Sequence, residues 1–162
     1  MFDNKSQSGT KSFMAPFIVL IALFGFFYVL GSVWLPAQFD WLTSLRLALA
    51  GMFLLSASAH WGKRRPDLIA MVPPAFPRPD LLVTVTGILE VIGAVGLMLP
   101  MAAPYAALGL CFMLLAVFPA NVHAARQHLS IAGRPVEALF TRALLQFVFL
   151  AATATVFVAG KR

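Results

Sequence analysis

Long continuous runs of apolar residues, separated by short polar or proline-rich stretches, make up most of the chain. The hydrocarbon core of a bilayer is about 30 Å thick, so a helix of about 20 apolar residues is needed to cross it. Five runs meet that length: Phe13–Leu35, Trp41–Trp61, Leu81–Leu99, Pro104–Val122 and Leu139–Ala159. Because no connection between them is long enough to fold alone, the pattern predicts a single all-α transmembrane bundle.

The N-terminal region differs from the rest of this pattern. Residues 1–12 are polar and rich in Ser and Lys, which predicts a disordered cytoplasmic tail. The run at 13–35 is longer than the ~7–15-residue core of a signal peptide, so we expect an uncleaved helix. Its polar side chains are Tyr28 and Ser32, which predicts a peripheral helix that faces lipid on most sides.

The charge pattern indicates an orientation in the membrane. The chain is 60% hydrophobic and has a formal net charge of +6. In a soluble protein, such a positive charge would suggest that the partner is a nucleic acid. Here most of the basic residues fall on one side of the five runs: Lys5, Lys11, Lys63, Arg64, Arg65, Arg78, Arg126 and Arg134. The positive-inside rule then predicts a cytoplasmic N-terminus and an outside C-terminus, with no nucleic-acid partner.

The connection at 62–80 combines prolines with an apolar core. Its five prolines prevent a continuous helix, yet the stretch Leu68–Val72 is too apolar for a free hydrated linker. We therefore expect it to pack against the helix ends. Two interpretations remain open, a surface connector and a lid over a cavity.

Glu90 lies in the middle of the third apolar run. It is nine residues past Leu81, or about 13 Å at ~1.5 Å per residue. A carboxylate near the centre of a bilayer costs at least ~2.5 kcal/mol. Glu90 is therefore expected to be protonated, paired or facing a wet cavity.

Other polar residues belong to the cytoplasmic half of the predicted bundle. They come from three different runs, and the topology places them at one membrane level with Glu90 above. They are His60, Asn121, His123, Arg142 and Gln146. We expect these side chains and Glu90 to converge on one polar pocket that binds a ligand or relays protons.

Each member of this set also has a structural interpretation. Glu90 and Arg142 are compatible with a buried structural ion pair. His60 and His123 lie near helix ends, where contact with solvent or lipid headgroups costs little. Asn121 is compatible with a cap on a helix that Pro119 interrupts.

Metal and disulfide chemistry are not expected from this chain. No two histidines, and no Glu and His, have the spacing that places two metal ligands on one helix face. The single cysteine, Cys111, has no partner for an internal disulfide and is typical of a small buried hydrophobic residue.

Residues 41–160 resemble the DoxX family of small bacterial membrane proteins, in its DoxX-like branch. Short matching stretches occur in order along the chain. They are His60-Trp61, Arg65-Pro66-Asp67, Val72-Pro73-Pro74, Phe76-Pro77, Thr86-Gly87-Ile88-Leu89-Glu90 with Gly93 and Gly96, Leu99-Pro100, Phe118-Pro119-Ala120-Asn121-Val122, and Arg142 with Gln146. The chain departs from the usual pattern at Ser56–Ala59, before the histidine, and at Ala143 and Leu144, where relatives often carry Pro.

The resemblance implies a four-helix transmembrane core built from the second to fifth runs, with the helix at 13–35 as an addition. It also implies that the protein lies in a bacterial inner membrane. Some similar proteins are membrane subunits of redox assemblies. The corresponding hypothesis is a redox-associated subunit whose polar pocket holds a quinone or a similar lipid. The chain shows no motif for an intrinsic cofactor, so electrons would come from a redox protein partner.

A second hypothesis is a non-catalytic scaffold or lipid-binding protein, in which the polar cluster only fixes helix packing. An enzyme acting alone and a carrier are further alternatives. The carrier is disfavoured because the sequence shows none of the internal repeats that are common in carriers.

Overall fold

The computed structural model describes residues 14–34, 40–127, 129–131, 134–135 and 138–160. The elements in these ranges are α1 (Ala15–Trp34), α2 (Trp41–Ser58), α3 (Arg65–Met71), α4 (Pro79–Met98), α5 (Ala103–Arg126), β1 (Ser130–Ile131), β2 (Arg134–Pro135) and α6 (Leu139–Ala159). Five helices, all but α3, are long and apolar enough to span a membrane. The predicted all-α fold class is confirmed, and the chain is a multi-pass membrane protein. The tail predicted at 1–12 lies outside the described residues.

Four of the spanning helices form a closed ring around the core. Helix α2 packs against α4 and α6, and α5 packs against the same two helices. Helices α4 and α5 run in opposite directions because only four residues connect them. The side chains buried at the centre of the ring are mostly apolar: Leu49, Phe53, Ala94, Leu97, Ala107, Leu110 and Val156.

The contact between α4 and α5 depends on a small residue. A Cβ placed on Gly93 would lie only 2.5 Å from Cδ2 of Leu110, so a larger residue would push the helices apart. Since lipid tails are as apolar as the side chains themselves, close helix packing in membranes relies on such small residues. Gly109, on α5, has no heavy atom within 4 Å of the same added carbon and faces open space.

Helix α1 lies at the periphery of the bundle. It packs against α2, and its buried residues are Leu20 and Gly31. Phe26 and Val33 remain more than half exposed, at 59% and 67%, which suits a surface that contacts lipid.

The proline-rich connection is partly helical. Helix α3 is seven residues long, begins at Arg65 with Pro66 in its first turn, and packs against α4 and α5. Met71 is buried at its C-terminal end, where the backbone becomes extended at Val72. Pro79 then starts α4, after Arg78 adopts a left-handed backbone conformation with φ 53°. The segment is therefore packed against the helix ends.

The opposite membrane end carries two helix caps. Asp40 accepts a hydrogen bond from the backbone N–H of Thr43 at 2.7 Å and so caps the N-terminus of α2. That hydrogen bond lowers the pKa of Asp40 below its ordinary value. At the C-terminus of α4, Nε of Arg46 donates to the Leu97 carbonyl at 2.9 Å, which places a cation where the helix dipole is negative.

Candidate functional site

Glu90 lies on the buried face of α4, and its side chain points toward α2. The residue is 8% exposed. The hydroxyl of Ser56, two residues before the end of α2, donates to Glu90 Oε1 at 3.1 Å. The other carboxylate oxygen, Oε2, lies 3.7 Å from Nδ1 of His60. We call Ser56, His60 and Glu90 the α2–α4 cluster.

His60 is held in the turn that follows α2, outside the spanning helix. Its backbone N–H bonds the carbonyl of Ala57 at 3.0 Å, and the residue is 8% exposed. The ring rests on Gly87 of α4, where an added Cβ would lie 2.7 Å from the histidine Cβ and 2.8 Å from its Cγ. Only glycine leaves room for the imidazole at this position.

Burial lowers the pKa of His60 below its ordinary value, because desolvation penalises the charged imidazolium. The nearby Arg65 guanidinium adds to this effect, while the carbonyls of Ser56 and Ala57 oppose it. The neutral imidazole is therefore favoured, and it can accept or donate a proton at Nδ1.

The α2–α4 cluster has unused hydrogen-bonding capacity. Within the described part of the chain, His60 Nδ1 and Glu90 Oε2 are buried and make no hydrogen bond. Their separation of 3.7 Å is longer than a hydrogen bond, but a movement of less than 1 Å would form one. Buried polar atoms are nearly always satisfied, so two such atoms facing each other need an explanation. This arrangement can share a proton or accept a polar group of a ligand.

A second group of polar side chains joins α5 to α6. Asn121 Nδ2 donates to Gln146 Oε1 at 2.7 Å, and Arg142 Nη2 donates to Asn121 Oδ1 at 2.5 Å. Gln146 Nε2 in turn donates to the backbone carbonyl of Leu114. Arg142 and Gln146 are 4% and 8% exposed. We call Asn121, Arg142 and Gln146 the α5–α6 cluster.

Pro119 interrupts α5 close to the carbonyl that accepts a hydrogen bond from Gln146. Proline lacks an N–H and crowds the carbonyl four residues earlier, which disturbs the helix there. The Gln146 amide bonds the carbonyl of Leu114, one residue before that position. The interruption of α5 thus lies beside the Gln146 amide.

The hydrogen bonds among the described residues join the predicted site residues in two groups rather than in one network. Oε2 of Glu90 lies 3.7 Å from Nδ1 of His60, whereas Arg142 donates to Asn121. The ring explains this division, because α4 packs against α2 and α5, while Arg142 lies on α6. His123 is half-buried near the end of α5, and none of the bonds that build the two clusters involves its side chain.

The predicted site leaves out two residues that shape the α2–α4 cluster. Ser56 precedes His60 by four positions, which places it beside the histidine on a predicted helix, but it is not among the predicted site residues. Arg65 donates to the His60 carbonyl at 2.9 Å, and its position in a proline-rich connection gave no signal of this contact.

Two apolar grooves lie on the outside of the bundle, away from both clusters. One, of ≈ 390 Å³, runs along α1 beside Phe26 and Trp34. The other, of ≈ 410 Å³, lies between Trp41 and the C-terminal half of α6, beside Ala154 and Val158. Neither groove is lined by a residue of the two clusters.

Comparison with known proteins identifies the chain through one family. Neither the curated proteins nor the solved structures contain a match. A family model described as a domain of unknown function, DUF8561, matches residues 49–157. The matched region begins within α2 and ends within α6, so it includes every residue of both polar clusters. The chain therefore belongs to the DUF8561 family.

Proposed function

We propose that this protein is a redox-associated membrane subunit, related to the DoxX family, whose α2–α4 cluster exchanges a proton with a bound quinone or similar isoprenoid ring. The observation that carries the proposal is the pair of buried, facing atoms His60 Nδ1 and Glu90 Oε2, neither of which makes a hydrogen bond in the described residues. A cluster kept only for packing gains nothing from two such atoms, since each costs about 1–3 kcal/mol when left unsatisfied.

The chemistry of a quinone matches these groups. Reduction of a quinone to its quinol consumes two electrons and two protons, and each carbonyl oxygen becomes a hydroxyl. Glu90 and His60 would deliver or receive protons at those oxygens, and Ser56 would hold the carboxylate in place through its 3.1 Å bond. The electrons would come from a redox protein partner.

The proposal extends to the location of the protein. We place it in a bacterial inner membrane with the N-terminus in the cytoplasm. Four basic residues support this orientation because they lie at the same end of the bundle, in or beside the connections from α2 to α4 and from α5 to α6: Lys63, Arg64, Arg78 and Arg126.

A second candidate function, a non-catalytic scaffold or lipid-binding protein, is favoured by the α5–α6 cluster. Its amide groups bond one another and a helix carbonyl across two helices, as expected of groups that fix packing. In that case the α2–α4 cluster would also be structural, and its loss would change stability without changing the binding of a quinone.

Titration with a short-chain quinone analogue separates the two functions. The purified protein is titrated in detergent, and binding is followed by quenching of tryptophan fluorescence. Trp61 is a suitable reporter because its Cη2 lies 3.0 Å from the Cβ position of Gly87, beside His60. We expect Glu90→Gln and His60→Gln each to weaken binding at least about tenfold, or ~1.4 kcal/mol.

Thr86→Val is the matched control for this titration. Thr86 is also on α4, one turn from Glu90, and its hydroxyl bonds carbonyls of its own helix at 2.9 and 3.1 Å. The affinity of Thr86→Val for the quinone analogue should equal that of the wild type. Equal affinities in Glu90→Gln and Thr86→Val, or no saturable binding by the wild type, would contradict the redox function and favour the scaffold.

A further inference from the structure

Arg65, at the start of α3, bridges the turn after α2 and the first turns of α4. Its Nη1 donates to the carbonyl of His60 at 2.9 Å. Its Nη2 donates to Oγ1 of Thr84 at 2.9 Å and to the carbonyl of Asp80 at 3.2 Å. The planar guanidinium makes these contacts from fixed directions, which the single ammonium of a lysine cannot reproduce.

The backbone held by Arg65 belongs to the residue whose ring faces Glu90. His60 therefore has two attachments to α4, the guanidinium bridge at its carbonyl and the surface of Gly87 beneath its ring. Together they determine the height and the rotation of the imidazole relative to the carboxylate. In this position, Nδ1 of the ring lies 3.7 Å from Oε2 of Glu90.

A side chain that only tied the turn to α4 would need its contact with Thr84 alone, whereas Arg65 also bonds the carbonyl of His60. The position of the imidazole, in contrast, depends on holding the His60 carbonyl and α4 at the same time. Displacement of the turn would move the ring toward solvent and away from the carboxylate.

We propose that Arg65 is a positioning residue, which holds the His60 imidazole against Gly87 and within reach of Glu90. The inference rests on the proposed function, since the proton exchange assigned to the pair needs this separation. The groups that face His60 are Glu90 from α4 and Arg65 from α3, and both enter the test.

The test measures the protonation of His60 directly, without any ligand. The histidine ring signals of ¹⁵N-labelled protein in nanodiscs are followed against pH by NMR, and His60 is assigned by the loss of its signal in His60→Gln. Arg65→Lys keeps the positive charge but loses the two-directional bridge. We expect the pKa of His60 in this variant to rise toward its ordinary value, because the ring becomes more hydrated.

Two further variants separate geometry from charge. Thr84→Val removes one acceptor of the bridge, keeps every charge, and should shift the His60 titration in the same direction as Arg65→Lys. Lys63→Gln, which removes an exposed charge two residues from Arg65, should leave the titration unchanged. An unchanged His60 titration in Arg65→Lys and Thr84→Val would overturn the positioning role.

The quinone titration then tells a failure of positioning from a failure of the proposed function. If the pair binds a quinone and Arg65 positions it, Arg65→Lys weakens quinone binding several-fold and Lys63→Gln does not. A different result is a shifted His60 titration in Arg65→Lys together with no quinone binding by the wild type or by any variant. That result would support the positioning role and contradict the redox function. If Arg65→Lys binds quinone as tightly as the wild type and the pKa of its His60 is unchanged, the positioning role is wrong but the redox function is not contradicted.

Discussion

Gln146→Leu tests whether the α5–α6 cluster holds two helices together. Gln146 makes two contacts with α5, accepting from Asn121 and donating to the Leu114 carbonyl. Leucine has a similar size and preserves the apolar packing around the site, but it makes neither hydrogen bond. The substitution therefore isolates the polar contribution.

The expected loss follows from these contacts. Hydrogen bonds between membrane helices average ~0.6 kcal/mol, so two of them contribute about 1 kcal/mol. The substitution also leaves Asn121 Nδ2 without its acceptor, and an unsatisfied buried group costs about 1–3 kcal/mol. Because Asn121 is half-buried, the lower end of that range applies. The sum is a loss of about 2 kcal/mol in the free energy of unfolding.

The free energy of unfolding is measured by reversible titration with SDS in mixed micelles. Thr153→Val is the control, because Thr153 is fully buried on the same helix and its hydroxyl bonds the carbonyl of Phe149 in its own helix at 2.7 Å. Thr153→Val should cost less than ~1 kcal/mol. A Gln146→Leu protein that unfolds at the same SDS concentration as Thr153→Val would refute the assignment of a packing role to this cluster.

Three further substitutions or conditions have defined outcomes. Because the pKa of His60 is lowered in the folded protein, its contribution to stability is present above the ordinary value of 6.5 and is lost as the pH falls below that value. The free energy of unfolding should therefore decrease between pH 8 and 5, and His60→Gln should reduce this decrease. Gly93→Ala should destabilise the protein by about 1–3 kcal/mol through its contact with Leu110, whereas Gly109→Ala should leave the SDS midpoint unchanged or raised, and equal effects would contradict the packing described. Asp40→Ala should cost about 1 kcal/mol in the same assay, less below the folded pKa of Asp40, and a loss independent of acid pH would exclude the carboxylate as the cap.

The spanning helices could be predicted from the sequence because the bilayer makes apolar length the dominant signal. The run predicted at Leu139–Ala159 coincides with α6, and the run at Leu81–Leu99 differs from α4 by two residues at its start. The predicted and observed helix ends differ most where the apolar run continues beyond the end of the helix or stops before it. The hydrophobic pattern predicts that the second run continues to Trp61, but α2 ends at Ser58 and a turn follows.

The arrangement of the polar residues could not be predicted from depth alone. Residues at one membrane level can face different neighbours, and the order of helices around the ring decides which of them meet. Depth suggested one pocket for Glu90 and Arg142, but the hydrogen bonds of the described residues put Glu90 with Ser56 and His60, and Arg142 with Asn121.

The role of Arg65 was hidden for a different reason. Its partners are a backbone carbonyl five residues earlier and two groups on α4, and no helical periodicity connects them. Such a contact depends on the path of a proline-rich connection, which the sequence restricts but does not determine.

The Gln146 amide and the His60–Glu90 pair differ in a way that bears on function. The oxygen and the nitrogen of the Gln146 amide each have a partner on the neighbouring helix. In the α2–α4 cluster, two buried atoms face each other at 3.7 Å without a hydrogen bond in the described residues. Unsatisfied groups of this kind are costly, and their retention in the interior of a bundle is typical of a functional site.

The most direct experiment is to purify the wild type, Glu90→Gln and Thr86→Val in mild detergent and to identify the small molecules that copurify with each by mass spectrometry. A quinone retained by the wild type and Thr86→Val, and lost from Glu90→Gln, is the outcome expected if the α2–α4 cluster is a ligand site. The same small molecules in all three samples, or no quinone in any of them, would contradict that function and leave Glu90 as a packing residue.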